Sequence, residues 1–325
     1  MDFSLDEDQL SLQAMVRQFC RTRWPLDHVH ERPTKGLDIE AWRQLSEIGA
    51  LSLLAMESNG GSGLGVVEGA VVFEQLGQHL VPGPVLWTAL AATLIPDVAR
   101  GVRIAGGVED RGQRPLHVEH ADVIDTLIVL RADGVSRVDR DAFPAWRLAD
   151  SLDPLRPVAL FESLPAGVPI GDAAAAARVS QVGTVLSAAV QLGVATAALD
   201  VAVAYSLQRQ QFEVPIASFQ ALKHMMADMY VRVGLAKSAT YAAAAVLDDP
   251  SVGDAARSIA AAKLLAGEAA IDNSRAAVQV LGGMGFTWDT PPNFLLKRAW
   301  VTDHSFGTAT SHALSLAAMV SAEAT

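Results

Sequence analysis

The chain has 325 residues, half of them hydrophobic, and a formal net charge of −11; that length buries a large core, and that acidity argues against nucleic acid, which needs a basic surface. Its single cysteine, Cys20, excludes an intrachain disulfide. No Cys/His cluster has metal-ligand spacing, and the acidic opening "MDFSLDEDQL" lacks the basic-then-apolar pattern of a leader, so a reducing cytosol is the expected compartment.

Residues 1–101 read as a helical domain. Leu5, Gln9, Leu12, Val16 and Phe19 recur with a period near 3.6, and Ser4 followed three residues later by Glu7 has capping-box spacing. A second helix fits Ile39 to Ile48 with Gly49 as its stop. "ESNGGSGLG", Glu57 to Gly65, is a loop, because its glycines interrupt rather than continue a helix. A third helix runs from Val66 to Leu76 and is expected to stop at Gly77. "VPGP", Val81 to Pro84, turns the chain.

Residues 102–171 change character. "ADVIDTLIVLRADGVSRVDRDAF", Ala121 to Phe143, reads as two strands around an Ala-Asp-Gly turn, and "RPVALFESL" as another strand. A reduced β middle domain is expected. Residues 172–325 are helical again: Ala173–Gln208, Phe219–Leu247 with Lys223, Arg232 and Lys237 on polar faces, Ala255–Leu281 ending at Gly282-Gly283, and about Ser311 to Glu323. Long helices and short loops predict a four-helix bundle. Mean hydropathy is +0.25, yet no apolar stretch reaches the ~18 residues of a membrane span, so the surplus is expected at helix and subunit interfaces.

Five strings carry a family resemblance: "MDFSLDEDQ", "WRQLSEIGALSLLAMESNGGSGLG", "FEQLG", "AYSLQRQQFEVPIASFQALKHMMADM" and "AVQVLGGMGFTWDTPPNFLLKRAW". In this order and at this spacing they resemble the acyl-CoA dehydrogenases along most of the chain. The resemblance implies a mostly α fold with a small β domain, an FAD cofactor and an acyl-CoA substrate. The "FTWDTP…FLLKRA" variant and the short middle domain resemble the acyl-CoA dehydrogenases of actinobacterial steroid breakdown, cholesterol included. Members of that group assemble as α2β2 heterotetramers in which two chains build one flavin site.

Carried over residue by residue, the resemblance implies that Arg209 and Phe212 lie on a loop between bundle helices. The arginine would reach the FAD diphosphate, which its forked donors suit. Read from "RQQF" alone, it is a surface arginine at a helix end. Glu213 stands where the family has glycine; a carboxylate near a diphosphate is unfavourable unless it turns to solvent. Phe219 and Gln220 match a pair that contacts the adenosine half; read alone, they are a packed Phe and an exposed Gln. Gln279, Val280, Leu281, Gly282 and Gly283 match a run whose missing Cβ atoms admit the diphosphate; read alone, the glycines are an ordinary helix stop.

Dehydrogenation needs a carboxylate to take the α-proton while hydride leaves the β-carbon for the flavin. Relatives place a Glu before the late Gly-Thr, where this chain has Phe306, or early in the first bundle helix, where it has Gly183. Near that helix only Asp172 and Asp200 are acidic. Asp303 is a candidate substitute, with a surface or ion-paired residue as the ordinary alternative. The family's middle-domain runs, Thr-Glu-x-x-x-Gly-Ser-Asp and Trp-Ile-Thr, which serve the flavin ring and thioester, are absent; Trp146 lacks the Ile-Thr that should follow. The expectation is a chain that lends diphosphate and adenosine contacts to FAD shared with a homologous catalytic chain, passing electrons to an electron-transfer flavoprotein. The alternatives are a self-sufficient homo-oligomer using Asp303 and a flavin-free scaffold.

Overall fold

A computed structural model describes residues 5–33 and 35–323. In chain order its elements are α1 (Glu7–Arg23), α2 (Ile39–Glu47), α3 (Val66–Gln78), α4 (Val85–Ala92), α5 (Pro96–Ala99), β1 (Ala105–Glu109), β2 (Leu116–Glu119), β3 (Thr126–Arg131), β4 (Gly134–Asp139), β5 (Arg147–Ala149), β6 (Val158–Phe161), β7 (Val168–Asp172), α6 (Ala173–Gln208), β8 (Gln210–Gln211), β9 (Val214–Pro215), α7 (Gln220–Asp248), α8 (Ala255–Leu281), α9 (Pro291–Asp303) and α10 (Ala309–Glu323). The architecture is mostly helical with a small β region. Two compact units emerge: residues 1–32, 70–81 and 184–325 form one, and residues 33–69 and 82–183 the other.

The first unit holds the helical bundle. Helix α1 starts where Asp6 accepts from the Gln9 backbone at 2.8 Å and the Gln9 side chain accepts from the Asp6 backbone at 3.2 Å. This reciprocal box sits two residues beyond the expected one, whose Ser4 lies outside the described residues. Gly77 does not stop α3, which continues to Gln78. Its role is close approach: a Cβ on Gly77 would sit 2.2 Å from the Val190 carbonyl oxygen, and one on Gly193 2.1 Å from that of Glu74. Reciprocal glycines let the α3 and α6 backbones touch, which side chains at those positions would forbid.

Polar groups lock the bundle. Lys263 is fully buried and donates to Gln191 Oε1, Thr302 O and Asp303 O at 3.1, 3.1 and 3.2 Å. It thereby satisfies carbonyls at the end of α9, as cations near helix C-termini do. Tyr241 donates to Glu74 Oε2 at 2.7 Å, and burial, with the Glu74 charge second, raises its phenol far above the usual range. Arg232, expected on a polar face, is half-buried and reaches Asn273. One helix, α6, is long and apolar enough to cross a membrane, contrary to expectation; 89% of that window is buried in the fold, as in a core helix.

The second unit carries two sheets, β1-β3-β4-β7 and β2-β6-β5. The β3–β4 hairpin turns at Ala132-Asp133, as the Ala-Asp-Gly signal predicts. The parallel β1–β3 pairing is nonlocal and leaves no mark in either strand. Gly106 and Gly107 of β1 admit Ile124 and Trp87 against the backbone. Between the sheets lies an apolar cluster including Leu127, Val129 and Phe161. Trp146 packs on it, its ring 6.3 Å from that of Phe161, and so is accounted for as a core residue.

Candidate functional site

The expected cofactor residues gather at one end of the α7–α8 hairpin. A short connection joins these antiparallel helices, and Asn273 Nδ2 donates to Met229 O at 3.0 Å across them. Gln220 and Gly282 each lie nine residues from that contact, toward the start of α7 and the end of α8. At ~1.5 Å per residue both reach the same level. The β8–β9 ribbon with Arg209 and Phe212 leads directly into the start of α7.

Arg209 is anchored by its backbone: its N–H donates to Tyr205 O and its carbonyl accepts from Ile216 N, both at 2.8 Å. Its guanidinium is exposed and has no acceptor among the described residues. Phe219 precedes α7 without a side-chain cap, and the first turn contains no acid. Unpaired backbone N–H groups and the positive end of the helix dipole therefore meet solvent beside a free arginine, an arrangement suited to an anion. Gln220 is exposed and within 3.1 Å of His224 Nε2. Phe212 is 87% exposed and meets Phe219 edge-on at 6.1 Å.

On the α8 side of this site the two glycines separate in meaning. Gly282 caps α8 with φ of +61°, so the ordinary stop explains it. Gly283 has no such φ, and a Cβ there would meet nothing within 4 Å. No neighbour in the chain requires glycine at 283, as is also true of Gly234 within α7; a ligand approaching the backbone closely would require it. Gln279 is exposed, but Val280 and Leu281 are buried, so these two can offer a ligand only backbone. Met284, Phe286 and Trp288 follow, 47%, 75% and 51% exposed, with Lys297 Nζ 4.3 Å from the Trp288 ring centre. Met284 and Trp288 lie inside the string that carries the resemblance, which gives neither of them a role; their exposure beside Phe286 is what the structure adds.

The ribbon's turn is strained. Phe212 and Glu213 both have positive φ, +52° and +66°, in a two-residue connection whose favoured occupants are Asn-Gly or Gly-Gly. Left-handed backbone costs a non-glycine residue about 1–2 kcal/mol.

The positions of the usual base hold no free acid. Phe306 is 3% exposed, with φ of +58°, and its carbonyl lies 2.9 Å from His312 Nε2. Gly183 is buried within α6. Asp303 is half-buried and has no ion pair among the described residues: its Oδ1 accepts from Ala309 N at 3.0 Å, closing the loop from α9 to α10. Asp172 accepts from Ala175 N at the start of α6, and Asp200 accepts from Gln78 at 3.0 Å. Burial, opposed by the Gln78 hydrogen bond, raises the Asp200 carboxyl. No group of three or more His, Cys, Asp or Glu side chains is placed to hold a metal among the described residues.

Residues 174–320 match the family model for the acyl-CoA dehydrogenase C-terminal domain, and residues 6–99 that for the acyl-CoA dehydrogenase N-terminal domain. Acyl-CoA dehydrogenase IpdE2 of Mycolicibacterium smegmatis is 37% identical over 275 residues, 81% of this chain and 82% of that protein. A chain of the ChsE4-ChsE5 complex from Mycobacterium tuberculosis superposes with a TM-score of 0.85 at 25% identity, covering 99% of each chain. A glutaryl-CoA dehydrogenase from Mycobacterium smegmatis, solved in complex with FADH2, shares the fold at a TM-score of 0.83 and 20% identity, with 97% and 95% covered.

Proposed function

Because the chain belongs to the acyl-CoA dehydrogenase family of oxidoreductases, we propose that it is the subunit of a heteromeric, FAD-dependent enzyme that grips the dinucleotide end of a shared flavin. A homologous partner chain supplies the base, the ring contacts and the acyl-CoA cleft. The flavin, when bound, accepts the hydride that leaves the substrate's β-carbon. In this chain Arg209, beside Phe212 on the ribbon, neutralises diphosphate charge, the start of α7 adds backbone donors, Phe219 and Gln220 flank the adenosine end, and Gln279 belongs to the diphosphate run. The backbone of Val280, Leu281, Gly282 and Gly283 lets the diphosphate approach. The substrate class we assign is a steroid-derived acyl thioester, on the "FTWDTP…FLLKRA" variant, with electrons leaving to an electron-transfer flavoprotein. The compartment is the cytosol, in keeping with one buried free thiol.

The observation that carries this reading is Gly283, a glycine with open space where its Cβ would be and no backbone need for it. Phe306 supports the division of labour, since a buried phenylalanine accepts no proton. The heteromeric arrangement draws on the ChsE4-ChsE5 complex as a structural relative.

The partner is defined by its chemistry: an acyl-CoA dehydrogenase chain with both middle-domain runs and the glutamate. In the co-expressed complex, Gly283→Ala and Arg209→Ala each lower bound flavin at least tenfold at limiting FAD, roughly the ~1.4 kcal/mol of one charge-assisted contact. Gly283→Ala leaves the melting temperature of the complex, measured without added FAD, unchanged or higher, because the alanine meets open space. Full flavin occupancy in both variants identifies a flavin-free scaffold instead.

A further inference from the structure

A cleft of about 590 Å³ opens among α1, α3 and α6, within the size range of small-molecule sites. Arg17, Arg21, Asp27, Glu74, His79 and Asp200 line it, and the flavin reading uses none of them. Arg17 and Arg21 are four residues apart in α1 and so share one face. Arg17 Nε donates to Gln75 Oε1 at 3.0 Å, which steadies the guanidinium while its Nη groups stay without a partner among the described residues. Arg21 has neither a hydrogen bond nor an ion pair among those residues.

The α3 wall is buried rather than solvated. Glu74 and His79 are only 6% and 7% exposed, yet each keeps one polar atom unpartnered. Tyr241 donates to Glu74 Oε2 and leaves Oε1 open. His79 Nδ1 lies 3.0 Å from Gln75 O. A carbonyl only accepts, so Nδ1 carries the proton and Nε2 presents a lone pair. Burial, joined by the charges of Arg32, Arg21 and Arg17, lowers the His79 pKa and favours this neutral ring. Asp200 on α6 accepts from Gln78 at 3.0 Å. Its side chain reaches solvent, but burial still raises its carboxyl.

Open acceptors on buried side chains are stabilised by a donor from outside the chain. The charges say what else that molecule carries. No ion pair joins the two arginines to Asp27, Glu74 or Asp200 among the described residues. A plain anion would meet three carboxylates, and a plain cation two guanidiniums. A molecule bearing both charges meets its complement at each end. Leu26 and Val201 add apolar wall between them and favour an aliphatic body.

We propose that this cleft binds a small zwitterion, an amino acid or short peptide with an aliphatic side chain. Its carboxylate lies against Arg17 and Arg21. Its ammonium lies against Glu74 and Asp200 and donates one N–H to His79 Nε2. The site is independent of the two-chain reading, since every residue in it belongs to this chain.

The test is calorimetric titration of the full chain, in its co-expressed complex, with L-leucine and L-leucyl-L-leucine. N-acetyl-leucyl-leucine, which lacks the ammonium, and leucyl-leucinamide, which lacks the carboxylate, are the matched probes. At least one zwitterion should bind with Kd below about 1 mM, and each capped dipeptide should bind about tenfold more weakly than leucyl-leucine. Tighter leucine identifies a free amino acid as the ligand, and tighter leucyl-leucine a peptide. Arg21→Gln and Asp200→Asn should each weaken binding about tenfold. Both are mild changes: Arg21 makes no internal bond, and asparagine still accepts from Gln78. No binding of either zwitterion at 1 mM ligand or below, on the order of the weakest specific affinity considered, overturns the proposal. So does a capped dipeptide that binds as tightly as the free one, or wild-type affinity in both variants.

Discussion

At the residue scale, three positions decide between a whole enzyme and half of one. Phe306, at the position where the resemblance places a proton acceptor, is a buried ring. Asp303, the nearest candidate substitute in sequence, spends an oxygen on the Ala309 N–H. An amide oxygen serves that bond as well as a carboxylate does, so Asp303→Asn should fold normally and leave turnover of the assembled enzyme within about twofold. Asp303→Ala removes the acceptor and should cost about 1 kcal/mol of stability by denaturant titration. Loss of turnover in Asp303→Asn with flavin retained would restore the self-sufficient alternative. Gly283 is the third position: a Cβ there meets open space, and the proposed diphosphate contact is what would fill it.

At the element scale, the crossing of α3 and α6 shows what local pattern conceals. Gly77 reads as a stop because glycine ends most helices it follows. The structure uses it instead as a contact, matched by Gly193 on the other helix. Either glycine changed to alanine drives a methyl into a facing carbonyl, and an overpacking cost of about 1–3 kcal/mol or more is expected. A melting temperature within about 2 °C of wild type for both variants would contradict the crossing, given the ~2–4 °C per kcal/mol of a large domain. Helices α6 and α8 were legible to the residue, because Asp172 and Asp254 open them and a glycine pair or a polar ribbon closes them. Helix α9 was not, because "TWDTPPNFLLKRAW" reads as a loop signature and its Pro291-Pro292 start masks the turn that follows. Helix α4, almost wholly buried, shows no alternation of faces to find. The parallel β1–β3 pair depends on partners distant in sequence. In the site, residue types were legible and their exposure was not: Val280 and Leu281 read as contacts but point inward, whereas Phe212 and Phe286 stand in solvent.

At the scale of the whole molecule, retained and missing features fall into one pattern. The hairpin end keeps an uncapped helix start, a free arginine, a spare glycine and a row of exposed aromatic side chains. The positions where the resemblance places a base hold Phe306 and Gly183, and Trp146 packs against the apolar cluster of the β region. Such a surface is under-used by the isolated chain and fits a site completed by a second one. The most direct measurement is flavin stoichiometry by absorbance on the purified chain alone and on its co-expressed complex. The account predicts a colourless or insoluble lone chain and about one FAD per heterodimer, as one shared site between two chains requires. Stoichiometric flavin and thioester oxidation by the lone chain would contradict it.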